Sequence, residues 1–335
     1  MTKSNQALLN TLIDMHTYCR PMGGPTEQAF IAKYIATLPN AEQDKHGNWH
    51  VTVSDAPVLW SCHTDTVHHE DGRQLVRYRR KTGTLVLDRL SKSSCLGADD
   101  TAGVFLCREM ILAKVPGHYV FHYGEERGGV GSGRLAQHDQ SFLRLFKFAI
   151  ALDRQGHSDI ITHQGGGRTA SDAFATSLAK QLGGYYAPCN FGIYTDTEEY
   201  KFIIPECTNV SIGYSRAHSE MELLDCRHVL RLLKALKNID VSKLVVDRDP
   251  AAEMKAHYEY LFDDGRDYIS WGYSNRDYNR DFIEAESVIR QDSLLWDWPE
   301  DDKLDSRLDN YLDPVFADVQ RELRRQFQLR ERKLH

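Results

Sequence analysis

No apolar run in the chain is long enough to cross a lipid bilayer. A spanning helix needs about 20 consecutive apolar residues, whereas the apolar stretches of this 335-residue sequence are far shorter and its mean hydropathy is −0.51. The first residues also lack the apolar core of a signal peptide. These absences predict no membrane partner, and they favour a cytoplasmic location.

The cysteines do not form the pattern of a disulfide framework. There are seven of them, which is an odd number, and no two have Cys-x-x-Cys spacing. Small secreted proteins held together by disulfides carry cysteines that can all pair. We therefore expect reduced thiols, as in a cytoplasmic protein.

A surplus of positive charge is lacking too. The chain has 41 Lys and Arg against 48 Asp and Glu, which gives a net charge of −7. Proteins that bind nucleic acid through its phosphates carry a basic surplus, so we predict no nucleic-acid partner. The acidic excess is concentrated in residues 240–335, which hold 15 basic and 23 acidic side chains. This break predicts a first domain of residues 1–239 and an acidic C-terminal extension of residues 240–335.

The first domain contains an alternation of helical and strand patterns. Helical periodicity covers 5–18, 26–37, 101–114, 170–182 and 221–239, short apolar runs typical of strands cover 57–62, 119–123, 146–152 and 209–214, and a hairpin pattern covers 74–90. Strands separated by helices favour a mostly parallel sheet that is covered on both faces. The sequence thus predicts a three-layer α/β/α fold with a mixed, mostly parallel central sheet.

The extension has features of an ordered segment. Its acidic stretch holds Trp271, Trp296 and Trp298, and apolar residues at helical spacing follow between 312 and 329. We predict that the extension ends in an amphipathic helix. The apolar face of such a helix packs either on the first domain or on another subunit, and the second case predicts a homo-oligomer.

Acidic and imidazole side chains follow the predicted strands and open one predicted helix. They are His63 and Asp65, Glu125 and Glu126, Asp153, His218, and the pair Asp99 and Asp100. In open α/β sheets, ligands bind at the carboxyl ends of the strands. Two imidazoles and several carboxylates at that place suit two divalent metal ions, one carboxylate bridging both. Such a pair activates a water for hydrolysis, and a spare carboxylate can take the proton.

At these positions the sequence resembles the co-catalytic di-zinc exopeptidases, a superfamily that includes bacterial leucyl aminopeptidases, tripeptidase T and carboxypeptidase G. The similar motifs are His63-Thr64-Asp65-Thr66-Val67, Leu96-Gly97-Ala98-Asp99-Asp100-Thr101-Ala102-Gly103, Gly124-Glu125-Glu126, Asp153 and His218. They occur in the family's order, and the resemblance spans about residues 5–239. Each motif is unspecific alone, but five in order are specific.

The resemblance implies a role for each of these residues. The ligands would be His63 and Asp153 for one ion, Glu126 and His218 for the other, and Asp99 for both. Glu125 would be the general base, and Asp65 would orient His63. A cis peptide bond between Asp99 and Asp100 is also implied. Zinc is the ion expected in this family, with Mn²⁺ or Co²⁺ as alternatives because affinity alone does not fix metal identity.

The spacing between two of the predicted ligands bears on the substrate. Lid-bearing members of the superfamily insert on the order of 100 residues before the last histidine, whereas Asp153 and His218 are 65 positions apart. This spacing is that of the compact aminopeptidase branch, although the motif at His63 leans toward the lid-bearing branch. We predict an aminopeptidase that acts on peptides or aminoacyl amides. The alternatives are a carboxypeptidase, an N-acyl amino-acid deacylase or a catalytically silent binding relative. Glu125 argues against the silent relative, which would not need a general base.

Other histidines are given simpler interpretations. His228 lies within a helical pattern and is assigned to packing or the surface, and His68 and His69 are assigned to a solvated loop.

Overall fold

The computed structural model describes residues 3–253. The helices are α1 (Lys3–Met15), α2 (Pro25–Tyr34), α3 (Ala98–Leu112), α4 (Val130–His138), α5 (Gln140–Leu143), α6 (Asp172–Leu182) and α7 (Cys226–Leu236). Short 3₁₀ helices cover Glu125–Arg127, Asp196–Tyr200 and Val241–Lys243. The predicted tryptophan-bearing stretch and amphipathic helix of the extension lie outside the described residues.

The strands form one large sheet and several small ones. They are β1 (Tyr18–Cys19), β2 (Glu42–Gln43), β3 (Trp49–Thr52), β4 (Val58–His63), β5 (Gly72–Arg73), β6 (Val76–Arg79), β7 (Thr84–Leu87), β8 (His118–His122), β9 (Phe148–Arg154), β10 (Asp159–Ile161), β11 (His163–Gln164), β12 (Gly167–Arg168), β13 (Ala187–Cys189), β14 (Glu206–Ser211), β15 (Tyr214–Ser215) and β16 (Leu223–Asp225).

The large sheet has eight strands in the order β13-β10-β14-β9-β4-β8-β3-β2. Its centre, β14-β9-β4-β8, is parallel throughout, and antiparallel pairs occur toward both edges. Every residue of β4 and β8 is buried. A strand buried on both faces is apolar along most of its length, which is why these segments lack the alternation of a half-exposed strand. The predicted mixed, mostly parallel sheet is confirmed.

Helices cover the two faces of this sheet. The helices α1, α3, α6 and α7 form one layer, in which α3 contacts both β4 and β9. On the other face, Leu59, Val120 and Ala149 of the sheet pack against Leu135 of α4 and Leu143 of α5. The three-layer α/β/α arrangement predicted from the sequence is therefore present. No helix within residues 3–253 is long and apolar enough to span a membrane.

Close contact between α3 and β9 depends on one glycine. A Cβ atom added at Gly103 would lie 2.1 Å from the carbonyl oxygen of Leu152. Two non-bonded atoms cannot approach that closely, so only glycine fits at this position. Gly103 therefore lets the first turns of α3 approach the end of β9, where Asp153 directly follows Leu152.

The helix predicted over 221–239 begins later than expected. Leu223–Asp225 instead forms β16, which pairs with β7 in a four-stranded sheet that also contains the predicted hairpin β6–β7. The helix α7 begins at Cys226, because the Asp225 side chain accepts hydrogen bonds from the backbone N–H groups of Arg227 and His228.

The described chain stays packed on the sheet after residue 239. The guanidinium of Arg248, which is 7% exposed, donates to the carbonyl oxygens of Thr169 and Pro205. The carboxylate of Glu206 accepts the backbone N–H groups of Asp247 and Arg248. Packing on the first domain thus continues past the break in composition.

Candidate metal centre

The predicted site residues meet at one edge of the large sheet. His63 is the last residue of β4, Asp153 lies near the end of β9, and Glu125 and Glu126 form the 3₁₀ turn after β8. Because β9, β4 and β8 are adjacent and parallel, their carboxyl ends lie side by side. Asp99 comes from the first turn of α3, and His218 from the loop between β15 and β16.

Asp99 lies between the two histidines. Its Oδ1 is 3.0 Å from Nε2 of His63, and its Oδ2 is 3.3 Å from Nε2 of His218. On the outer sides, Asp153 Oδ1 is 3.5 Å from Nε2 of His63 and Glu126 Oε1 is 3.1 Å from Nε2 of His218. The structure thus forms two groups of three residues that share Asp99, with potential ligand atoms within 4.8 Å of one another in each group.

The two groups differ in their exposure to solvent. The side chain of His63 is 1% exposed and that of Asp153 is 7% exposed. The side chain of His218 is 47% exposed, while that of Glu126 is 9% exposed. A small molecule would therefore reach the centre from the His218 side.

The donor set fits divalent metal ions. Buried carboxylate oxygens are normally hydrogen-bonded, yet Glu126 Oε1 and Asp153 Oδ1 accept no well-aligned hydrogen bond from the described residues, although the ring nitrogens of His218 and His63 lie 3.1 and 3.5 Å from them. Carboxylates also outnumber imidazoles here, and buried negative charge of this kind requires a compensating cation. Imidazole nitrogen and carboxylate oxygen are common ligands of Zn²⁺, and carboxylate oxygen also suits Mn²⁺.

The electrostatics of the side chains follow from burial and from this crowding. Burial lowers the pKa of His63, but the carboxylates of Asp153, Asp65 and Asp99 outweigh burial and raise this pKa well above its usual value. Burial raises the pKa of Glu125 well above the usual range, and His63 opposes this effect only in part. The protein alone therefore favours a proton on Glu125, and a neighbouring cation would favour its loss.

Asp65, predicted to orient His63, contacts it mainly through its backbone. The carbonyl oxygen of Asp65 is 3.1 Å from Nδ1 of His63, and its carboxylate Oδ1 is 3.5 Å from the same nitrogen. That Oδ1 also accepts the backbone N–H of Glu125 at 3.2 Å. Asp65 thus links the ring of His63 to the turn that holds Glu125.

The backbone at Asp99 departs from helical geometry. The Asp99–Asp100 peptide bond is cis, as the resemblance implies. The Asp100 carboxylate accepts the backbone N–H groups of His63 and Gly103. Gly97 has a φ of +69°, and a Cβ there would lie 2.7 Å from the His68 ring. The segment that presents Asp99 is therefore held from several sides.

Three further residues support the centre and were missed from the sequence. The Tyr214 hydroxyl lies 2.7 Å from the carbonyl oxygen of Asp153 and 3.1 Å from Asp99 Oδ2. Thr195 donates its hydroxyl to Asp153 Oδ2 at 2.7 Å. The third residue is Glu222, whose side chain is 1% exposed. Tyr214 was visible only as the end of a predicted strand, and no sequence signal pointed to Thr195 or Glu222.

The other histidines lie outside the two groups. The assignment of His68 to a solvated loop is wrong, because this side chain is 4% exposed and contacts Thr66 and Gln74. His228 is buried and contacts the Tyr186 hydroxyl, so its assignment to packing is confirmed.

Comparison with known proteins identifies the fold. No family model matches the sequence, and no curated protein sequence matches it significantly. Among solved structures, the aminopeptidase PepT from Bacillus cereus has a TM-score of 0.57 and 15% identity, with 71% of this chain and 99% of that chain covered. A tripeptidase from Staphylococcus aureus has a TM-score of 0.57 and 16% identity, with 71% and 98% covered.

A third similar structure is the TET1 peptidase of Pyrococcus horikoshii. Its TM-score is 0.50 and its identity 15%, with 69% of this chain and 98% of that chain covered. That peptidase can assemble into a tetrahedron or a large octahedral shell. The chain therefore has the fold of these peptidases over nearly their whole length, as the resemblance of its motifs predicts.

Proposed function

We propose that the protein is a metal-dependent aminopeptidase. The observation that carries this proposal is the position of Asp99, whose two carboxylate oxygens face His63 and His218 while Asp153 and Glu126 flank the pair. The similarity in fold to an aminopeptidase and a tripeptidase supports it. The reaction would be hydrolysis of the first peptide bond of a peptide, or of an aminoacyl amide.

The two groups of three residues would each hold one divalent ion. His63, Asp153 and Asp99 would bind the first, and Asp99, Glu126 and His218 would bind the second. We propose Zn²⁺, because nitrogen and oxygen donors in this ratio suit it, with Mn²⁺ and Co²⁺ as alternatives. When bound, such a pair polarises the scissile carbonyl and makes water more acidic.

Glu125 would move the proton. One of its carboxylate oxygens lies within 4.8 Å of donor atoms of His63 and Glu126, and its backbone N–H donates to the Asp65 carboxylate. It would accept a proton as water attacks the carbonyl carbon, and would then donate that proton to the departing amine. Asp65 would hold the ring of His63 and the turn that carries Glu125 in fixed positions relative to each other.

The proposed centre favours a substrate with a free amino terminus. Two divalent ions would offset the charge of Glu125, Glu126, Asp99 and Asp153. A free amine could bind the open side of an ion or donate a hydrogen bond to a carboxylate, whereas the nitrogen of an acylated amino terminus has no available lone pair for a metal ion. The short distance in sequence between Asp153 and His218 leaves no room for an inserted lid domain that would bind a C-terminal carboxylate.

The proposal is tested by assay of the purified full chain on leucyl 4-nitroanilide and on its N-acetyl derivative. Activity on the free-amine compound should disappear after dialysis against a chelator and return when Zn²⁺ or Co²⁺ is added. The N-acetyl compound should not be cleaved. Full activity in excess chelator would contradict metal dependence, and release of acetate from N-acetyl-leucine without cleavage of the free-amine anilide would favour the deacylase.

We also propose a cytoplasmic homo-oligomer. All seven cysteines are unpaired, as expected in a reducing compartment. The similar TET1 peptidase assembles into large shells, which supports an assembly here. We further propose that residues 1–239 form the catalytic domain and that residues 240–335 form an extension with a structural or substrate-limiting role. Light scattering of the full chain tests the oligomer, and a monomer would contradict it. Activity of a chain ending at residue 253 on short and long peptides tests the role of the extension, which unchanged activity together with unchanged size would contradict.

A further inference from the structure

Glu222 connects the two halves of the candidate metal centre. It lies four positions after His218 and directly precedes β16. Its carboxylate accepts three successive backbone N–H groups of the segment that presents Asp99. These are Gly97 at 2.8 Å, Ala98 at 2.9 Å and Asp99 itself at 3.1 Å.

These three N–H groups have no hydrogen-bond acceptor within α3. The first N–H groups of a helix have no intrahelical acceptor and need a capping side chain. Gly97, at the N-cap position, has no side chain to supply one, and Asp99 has non-helical φ and ψ of −80° and 104°. Glu222 therefore caps α3 from a distant part of the chain.

The same residue is tied to the turn that carries His218. Its backbone N–H donates to the carbonyl oxygen of Ser219 at 3.0 Å, and the Ser219 hydroxyl donates to the carbonyl oxygen of Arg216 at 2.8 Å. The backbone at His218 and the backbone at Asp99 are thus connected through one side chain.

We propose that Glu222 is a positioning residue for the metal centre, whose carboxylate fixes the backbone of Gly97–Asp99 and thereby directs both oxygens of Asp99 toward His63 and His218. This inference rests on the proposed function. Because Asp99 belongs to both groups of ligands, a loss of this contact should weaken the binding of both ions. Loss of a ligand that belongs to one group, such as His218, should weaken the binding of one ion.

Glu222→Gln tests the contact with little change in shape. Its amide can accept hydrogen bonds at only one of the two oxygen positions, and its NH₂ group would face another N–H donor. Glu222→Asp keeps the carboxyl group but is one methylene shorter, so it tests whether the reach of the side chain matters. Glu220→Gln is the matched control, because Glu220 is exposed and lies in the same turn.

The measurement is a titration of each metal-free full-length variant with Co²⁺, followed by visible absorption. We expect both binding steps of Glu222→Gln to weaken by about ten- to a hundredfold, as found for residues that orient metal ligands. Glu222→Asp should weaken both steps as well, and Glu220→Gln should match the wild type. His218→Ala should weaken one step only.

Unchanged Co²⁺ affinity in a folded Glu222→Gln would overturn the inference, and so would weakening of a single step. Circular dichroism reports whether each variant folds. If Glu222→Gln does not fold, the Co²⁺ affinity of Glu222→Asp tests the inference instead. A normal affinity for Glu222→Asp would show that the carboxyl group need not reach the backbone of Gly97–Asp99 and would also overturn the inference. Absence of Co²⁺ binding to the wild type would instead contradict the proposed function.

Discussion

Nε2 of His63 lies 3.0 Å from Oδ1 of Asp99, although the first residue ends a strand and the second lies in the first turn of a helix. The contact requires the close approach of α3 to the sheet edge. The second oxygen of Asp99 faces His218 and the Tyr214 hydroxyl, and this arrangement gives the centre its two halves.

The general base and the ligands should respond differently to substitution. Glu125→Gln keeps the shape of the side chain and removes the proton acceptor, so kcat should fall by about a hundredfold or more. The metal content, measured by elemental analysis, should stay unchanged. Glu70→Gln, an exposed change of equal charge, serves as control. Near-normal turnover of Glu125→Gln would show that another group moves the proton.

Thr195 should affect the buried half of the centre. Its hydroxyl donates to Asp153 Oδ2, and Thr195→Val removes this donor at nearly constant volume. We expect the affinity for one of two Co²⁺ ions to fall by about tenfold, and Thr195→Ser to restore it. Equal affinity of the valine and serine variants for Co²⁺ would show that the hydroxyl plays no part in placing Asp153.

A buried histidine outside the centre should make stability depend on pH. Burial, assisted by the charges of Arg20 and His68, lowers the pKa of His16 from 6.5 to about 3. Between these values the unfolded chain binds a proton that the folded chain does not. The stabilising contribution of neutral His16 is therefore complete above pH 6.5 and is lost as the pH falls toward 3.

Urea unfolding of the wild type and of His16→Leu at several pH values measures this contribution. Between pH 6 and 4 the free energy of unfolding of the wild type should fall more steeply, by up to about 1.4 kcal/mol per pH unit. The comparison concerns slopes, so a constant difference in stability between the two proteins does not affect it. Parallel curves would mean that His16 is protonated in the folded protein.

The sequence predicted those parts of the centre that depend on local order. His63, Glu125 and Asp153 each follow a short apolar run, and in a parallel sheet such positions meet at one edge. The supporting contacts could not be predicted in this way. Thr195 reaches Asp153 across 42 positions and Glu222 reaches Asp99 across 123 positions, and neither has a local pattern that marks it.

Errors in the predicted elements have a similar origin. Residues 221–224 fit the periodicity of the helix that follows them, so they were assigned to it. In the structure, β16 is set by pairing with β7, a segment far away in sequence. The sequence after the His63 motif is interpreted as a solvated loop, but Thr66 and Gln74 contact His68 in the interior. Tertiary contacts decide both cases.

The central claim is that Asp99 holds two divalent ions between His63 and His218. Anomalous scattering at the zinc absorption edge, from crystals of the full chain grown with Zn²⁺, tests it most directly. The account predicts two peaks on either side of the Asp99 carboxylate, about 3.5–4 Å apart as in other two-metal hydrolases. No peak at Asp99, or a single peak that contacts only one of the two histidines, would contradict it.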